Sequence, residues 1–137
     1  MISKAISIAA AIWCSSAISA SAITYKCEMD NHARNGTVPE TIFVSIDDQT
    51  GDAAVLDQNI KYVYKEPIRA DIRQMGKNKY ELVWVVKNLP LRGNSKADMR
   101  VVLRLDVARK SVSYLAFLGG FANQDRGSGK CERYKGA

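Results

Sequence analysis

Apolar and polar residues alternate with a period of two along much of this chain. Ile68, Ala70 and Ile72 interleave with Arg69, Asp71 and Arg73. Met99, Val101, Leu103 and Leu105 interleave with Arg100, Val102, Arg104 and Asp106. Successive side chains of a strand point to opposite faces, so this pattern predicts β-strands with one wet face and one dry face. Tyr80, Leu82, Trp84 and Val86 alternate with Glu81, Val83, Val85 and Lys87. Both of those faces are partly apolar, which predicts a central strand. Nothing in the sequence carries the period of a long amphipathic helix.

Short runs rich in β-branched and aromatic residues, separated by Gly, Asn, Asp or Pro, place strands at 23–28, 41–47, 52–57, 60–65, 68–75, 79–87, 98–107, 111–118 and 130–134. Asp47-Asp48-Gln49-Thr50-Gly51, Gly76-Lys77-Asn78 and Val107-Ala108-Arg109-Lys110 are short enough to be hairpin connections, which makes neighbouring strands antiparallel. Pro39, Pro67 and Pro90 fall at strand edges or between strands, where a missing N–H harms a ladder least. Two longer loops are expected, Asn88 to Ala97 and the glycine-rich Gly119 to Gly129. The predicted fold is all-β: a single small antiparallel meander closing as a barrel, which removes exposed edges, with a two-sheet β-sandwich as the alternative.

The first residues change the picture of where this fold lives. Lys4, the apolar Ala5 to Ile12 and the small-residue stretch ending Ala20-Ser21-Ala22 have the layout of a secretory signal, cleaved after Ala22. The apolar part is shorter than the roughly 20 residues of a membrane span. The reading is therefore a signal peptide over 1–22 and one β domain over 23–137, periplasmic or secreted and bacterial in style. Cys14 leaves with the signal. Cys27 and Cys131 remain, and export favours their oxidation. They have one intramolecular pairing available, and it ties the first strand to the last.

Charge is uneven. The chain carries 20 Lys and Arg against 14 Asp and Glu. Residues 23–60 hold two bases against seven acids, whereas residues 61–110 hold thirteen against five. The central hairpins are thus basic, and Arg69, Arg73, Arg100 and Arg104 fall on the polar faces of strands that can be neighbours. Such a surface suits an anionic partner: a lipid head group, an acidic polysaccharide, another envelope component or an acidic protein. Export removes most nucleic-acid targets, and Tyr62, Tyr64 and Trp84 define no stacking platform.

Candidate chemistry is thin. A single histidine, His32, and two paired cysteines give no zinc ligand set. Asp47, Asp48 and Asp52 lack the ligand order and closing Glu of a calcium loop. Gly127-Ser128-Gly129-Lys130 lacks the first glycine of a phosphate loop and has Cys131 where Ser or Thr must hold magnesium. Asn35-Gly36-Thr37 is a glycosylation sequon that reads as a turn in a bacterial protein. No catalytic residue, cofactor or metal is expected.

An apolar leader, Tyr25-Lys26-Cys27 opening the first strand, a late cysteine and a short β meander together resemble small periplasmic β-barrel domains, including the C-type lysozyme inhibitors. That family carries a Ser-Gly-x-x-Tyr signature. Here Ser128-Gly129 is followed by Lys130, Cys131 and Glu132, and the family's second signature is absent, so no site carries over. The sequence thus predicts an exported, non-enzymatic binding or envelope-associated domain with a basic docking surface. The alternatives are a lysozyme or hydrolase inhibitor and a carrier of small apolar ligands.

Overall fold

The computed structural model describes residues 22–30, 37–119 and 124–135. The stretch expected to be a signal peptide, up to residue 21 and including Cys14, lies outside the described residues, as do His32 and Asn35-Gly36. Eight strands follow in order: β1 (Ala22–Met29), β2 (Thr41–Asp47), β3 (Asp52–Leu56), β4 (Ile68–Gly76), β5 (Lys79–Pro90), β6 (Lys96–Asp106), β7 (Ser111–Leu118) and β8 (Gln124–Arg133). Each pairs antiparallel with the next, and β8 returns to pair with β1. The sheet closes on itself, so the fold is the barrel and not the sandwich.

The alternation read from the sequence sorts side chains between lumen and outside. Leu82, Trp84, Met99, Val101, Leu103 and Tyr114 point inward and are at most 3% exposed. An eight-stranded barrel has an interior just wide enough for side chains to fill, and these residues fill it. Burying each large apolar side chain contributes about 1.5–3 kcal/mol. Among the described residues no helix is long and apolar enough to cross a membrane.

Three expectations need correction. Residues 60–65 are not a strand: Gln58–Tyr64 forms the helix α1. Asp57 caps it, its Oδ1 accepting from the Ile60 amide at 2.9 Å, and Lys65 ends it in the left-handed region (φ 69°). Ile60, Val63 and Tyr64 then share one face against the core, at helical spacing. The β-branched and aromatic character of Tyr62-Val63-Tyr64 is overridden by this cap and by burial across the barrel mouth.

The glycine-rich segment is the second correction. Its residues 124–129 belong to β8, which extends well before Lys130. Gly127 and Gly129 are there because the lumen side has no room. A Cβ on Gly129 would meet the Glu28 carbonyl oxygen, and would lie 2.8 Å from Met29 Cα. Third, the loop 88–97 is shorter than expected. β5 runs to Pro90 and β6 starts at Lys96, with a bulge between Val86 and Leu89 where Asn88 takes a positive φ of 55°.

Cys27 and Cys131 are bonded across the seam between β1 and β8. The strand directions also sort the two rims. One rim carries the three tight hairpins after β2, β4 and β6. The opposite rim carries α1 and the segment Thr37 to Glu40.

Candidate anion-binding surface

The register of the barrel turns scattered residues into rows on its outer wall. One row reads Arg73, Glu81, Arg104, Ser113 and Ser128 across β4 to β8. The next reads Asp71, Val83, Val102, Leu115 and Arg126. A third places Val85, Arg100, Phe117 and Gln124 side by side. Arg69, Arg73, Arg100 and Arg104 therefore share the outer face.

They are not equally available. Glu81 stands between two of them: its Oε1 accepts from Arg73 Nη2 at 2.9 Å and its Oε2 from Arg104 Nε at 3.1 Å. Arg104's hydrogen bond and the nearby charge of Arg73 hold the Glu81 carboxyl below the usual carboxylate range, against the opposing effect of partial desolvation. Arg69 donates to Asp52 at 2.5 Å. With Asp71 also on this wall, the β4 side is close to neutral. The uncommitted positive charge lies further round the barrel. Among the described residues the Arg104 guanidinium bonds Glu81 through Nε alone, whereas Arg100 lies over the Phe117 ring with 5.9 Å to the centroid and Arg126 contacts the neutral Gln124.

Between Arg104 and Arg126 the outer wall forms a groove of about 370 Å³. Ser113 and Ser128 pair across β7 and β8 on its floor, and Val102 and Leu115 pair in the adjoining row. No carboxylate lines it. Arg126 is absent from the sequence-based set because the segment around it reads as a loop. The usable signal is the alternation of polar Gln124, Arg126, Ser128 and Lys130 with Gly127, Gly129 and Cys131, a strand pattern with glycine in place of the usual apolar residues.

The other polar cluster sits at the rim under α1. Thr37 donates from its amide and hydroxyl to Asp125 Oδ2 at 2.9 and 2.8 Å. Its carbonyl accepts from Asn59 Nδ2 at 2.9 Å and from the Tyr114 hydroxyl at 3.3 Å. Burial pushes the Asp57 carboxyl up to about 6, against the hydrogen bond from the Ile60 amide. Burial, with Asp57 and Asp125 nearby, also pushes the Tyr114 hydroxyl up. Asp57 is only 4% exposed and Tyr114 2%. A substrate cannot reach either, and Asp57 is engaged as the helix cap. The cluster fastens α1 and Thr37 to the barrel.

The remaining sequence candidates resolve into ordinary structure. Asp47 Oδ1 accepts from the Gln49 and Thr50 amides, closing a turn, and Asp52 is engaged by Arg69. Gly127-Ser128-Gly129-Lys130 lies within strand β8 and not in a loop that opens a helix. No protein-family model, curated protein or solved structure matches the chain.

Proposed function

We propose that this chain is an exported, non-enzymatic binding domain that docks an anionic partner on the outer wall of β6, β7 and β8. The observation that carries the reading is the distribution of paired and unpaired arginines. Arg69 is matched by Asp52, and Arg73 and Arg104 by Glu81, whereas Arg100 and Arg126 form no ion pair among the described residues. An uncompensated cluster of guanidiniums on a rigid sheet attracts anions and holds them in a fixed geometry. Export is supported by the disulfide, a bond that persists in oxidising compartments. A non-catalytic role is supported by the burial of Asp57, the carboxyl pushed toward neutrality. The lumen is filled with side chains, which favours docking outside over carriage inside.

The test is retention on a sulfated-dextran column under a salt gradient. The R100E/R126E variant elutes at clearly lower salt than the parent, and R69E/R73E less so. Equal elution of R100E/R126E and the parent overturns the proposal, because screening acts on the charges that make contact.

A further inference from the structure

We infer that the groove between Arg104 and Arg126 is a subsite for an acidic sugar unit of a polysaccharide. This inference rests on the docking surface proposed above and names its ligand class. Three features of the groove point the same way.

The first is charge. Arg104 on β6 and Arg126 on β8 stand two strands apart and one row apart along the barrel. With strands about 4.8 Å apart and about 3.4 Å per residue, their Cα atoms are on the order of 12 Å apart. Arg104 bonds Glu81 through Nε, and Arg126 bonds the neutral Gln124, so two guanidiniums border the groove and one of them is engaged by a carboxylate. No carboxylate is among the lining residues, and Arg126 supplies a positive charge that no ion pair offsets among the described residues, so the groove favours an anion.

The second is the floor. Ser113 and Ser128 are direct neighbours across β7 and β8, and among the described residues neither hydroxyl has a hydrogen-bond partner. Cross-strand neighbours place their Cβ atoms about 4.5–5.5 Å apart. Two free hydroxyls at that spacing match the ring hydroxyls of a sugar, each able to donate and accept. A lipid head group supplies the anion but leaves this pair unused.

The third is the row beside it. Val102 and Leu115 are half-buried and adjacent, and give a small flat apolar patch for the C–H face of a pyranose. The exposed large apolar residues, Tyr62, Met75, Val85 and Tyr134, all lie outside the groove, so it lacks the apolar prominence that enters a bilayer. One row further, Phe117 with Arg100 over it repeats the pairing of apolar surface and cation for a following unit. The groove volume is at the small end of ligand pockets, roughly 300–1,000 Å³.

The test is titration calorimetry at low salt with a galacturonate hexamer, and with maltohexaose, inorganic sulfate and phosphatidylglycerol vesicles in separate arms. The hexamer binds, maltohexaose does not, and sulfate binds more weakly than the hexamer. R126A weakens the hexamer by about tenfold or more, the loss of roughly 1.4 kcal/mol. S113V, which fills the floor and removes a hydroxyl without changing charge, weakens it comparably. R69A stays within about twofold of the parent, because Arg69 is engaged by Asp52. If S113V binds like the parent while R126A does not, the basic surface stands and the sugar subsite falls. If vesicles bind and the hexamer does not, or if sulfate binds as tightly as the hexamer, the subsite falls as well. If neither hexamer, sulfate nor vesicles bind, both proposals fall.

Discussion

Cys27 and Cys131 face each other directly across β1 and β8, their Cα atoms 3.9 Å apart and both side chains shut inside the barrel. They are separated by 104 residues in sequence. Chain-entropy arguments assign about 4.7 kcal/mol to closing a loop of that order, and removing native disulfides from small secreted domains costs about 2–5 kcal/mol. The C27A/C131A variant is expected to lose about 3–4 kcal/mol in urea unfolding. A loss below about 1 kcal/mol means that the β1–β8 ladder holds the seam unaided.

Gly129 is the tightest point of that seam. An added methyl there meets the backbone of Glu28 and Met29, which cannot swing aside. At Gly127 it meets Val38 Cγ1 at 2.7 Å, a side chain in a connecting segment. G129A is expected to destabilise by about 3 kcal/mol or more, the upper range for overpacking, and G127A by about 1–2 kcal/mol. Thermal unfolding of both variants checks the order, and equal losses contradict it.

Asp57 sets a pH dependence with an unusual sign. Its carboxyl in the folded state titrates at about 6, above its usual 3.8. The folded protein therefore keeps this proton where the unfolded chain has released it. The contribution to stability is full below about pH 4, falls as pH rises to about 6, and levels off above. Two units of difference correspond to about 3 kcal/mol. D57N keeps the capping oxygen and removes the titration. The stability difference between parent and D57N should therefore change by about that amount between pH 4 and pH 7. A difference that is constant with pH shows an ordinary carboxyl.

Glu81 is an internal competitor for the anion-binding surface. It occupies Arg73 and the Nε of Arg104, and its side chain is 14% exposed. E81Q removes a negative charge and loosens both guanidiniums. It is expected to elute later than the parent from a sulfated-dextran column, with the gap closing at high salt. Earlier elution means that Glu81 positions Arg104 for binding rather than diverting it.

Much of the barrel is legible in the sequence because burial obeys a period of two. Leu103 and Arg104 fall on opposite faces for a reason that a single strand contains. Register is different. That Glu81 lies between Arg73 and Arg104 depends on two strand connections and two register shifts, one between Gln74 and Gly76 and one between Val86 and Leu89, each moving partners by whole residues. The arginines were therefore legible as outward-facing, but their partners were not. The helix at Gln58–Tyr64 was hidden for another reason: Tyr62-Val63-Tyr64 has strand propensity, and the decisive residue is the cap at Asp57, outside the run. Arg126 was hidden because glycine in an inward position looks like a loop until the neighbouring strand that needs the space is known.

The order of the strands has a consequence for how this protein reaches its native state. Every ladder joins sequence neighbours except the one between β1 and β8. Hairpins close quickly, and pairing across the whole chain is slow because its loop entropy is met before any contact compensates it. The seam is thus expected to be the last pairing to form as the chain folds. Until then Cys27 waits as a thiol, with its partner on β8, the last of the described strands. Oxidation reports completion of the barrel, and a protein trapped before that step has lost its closure and not its hairpins.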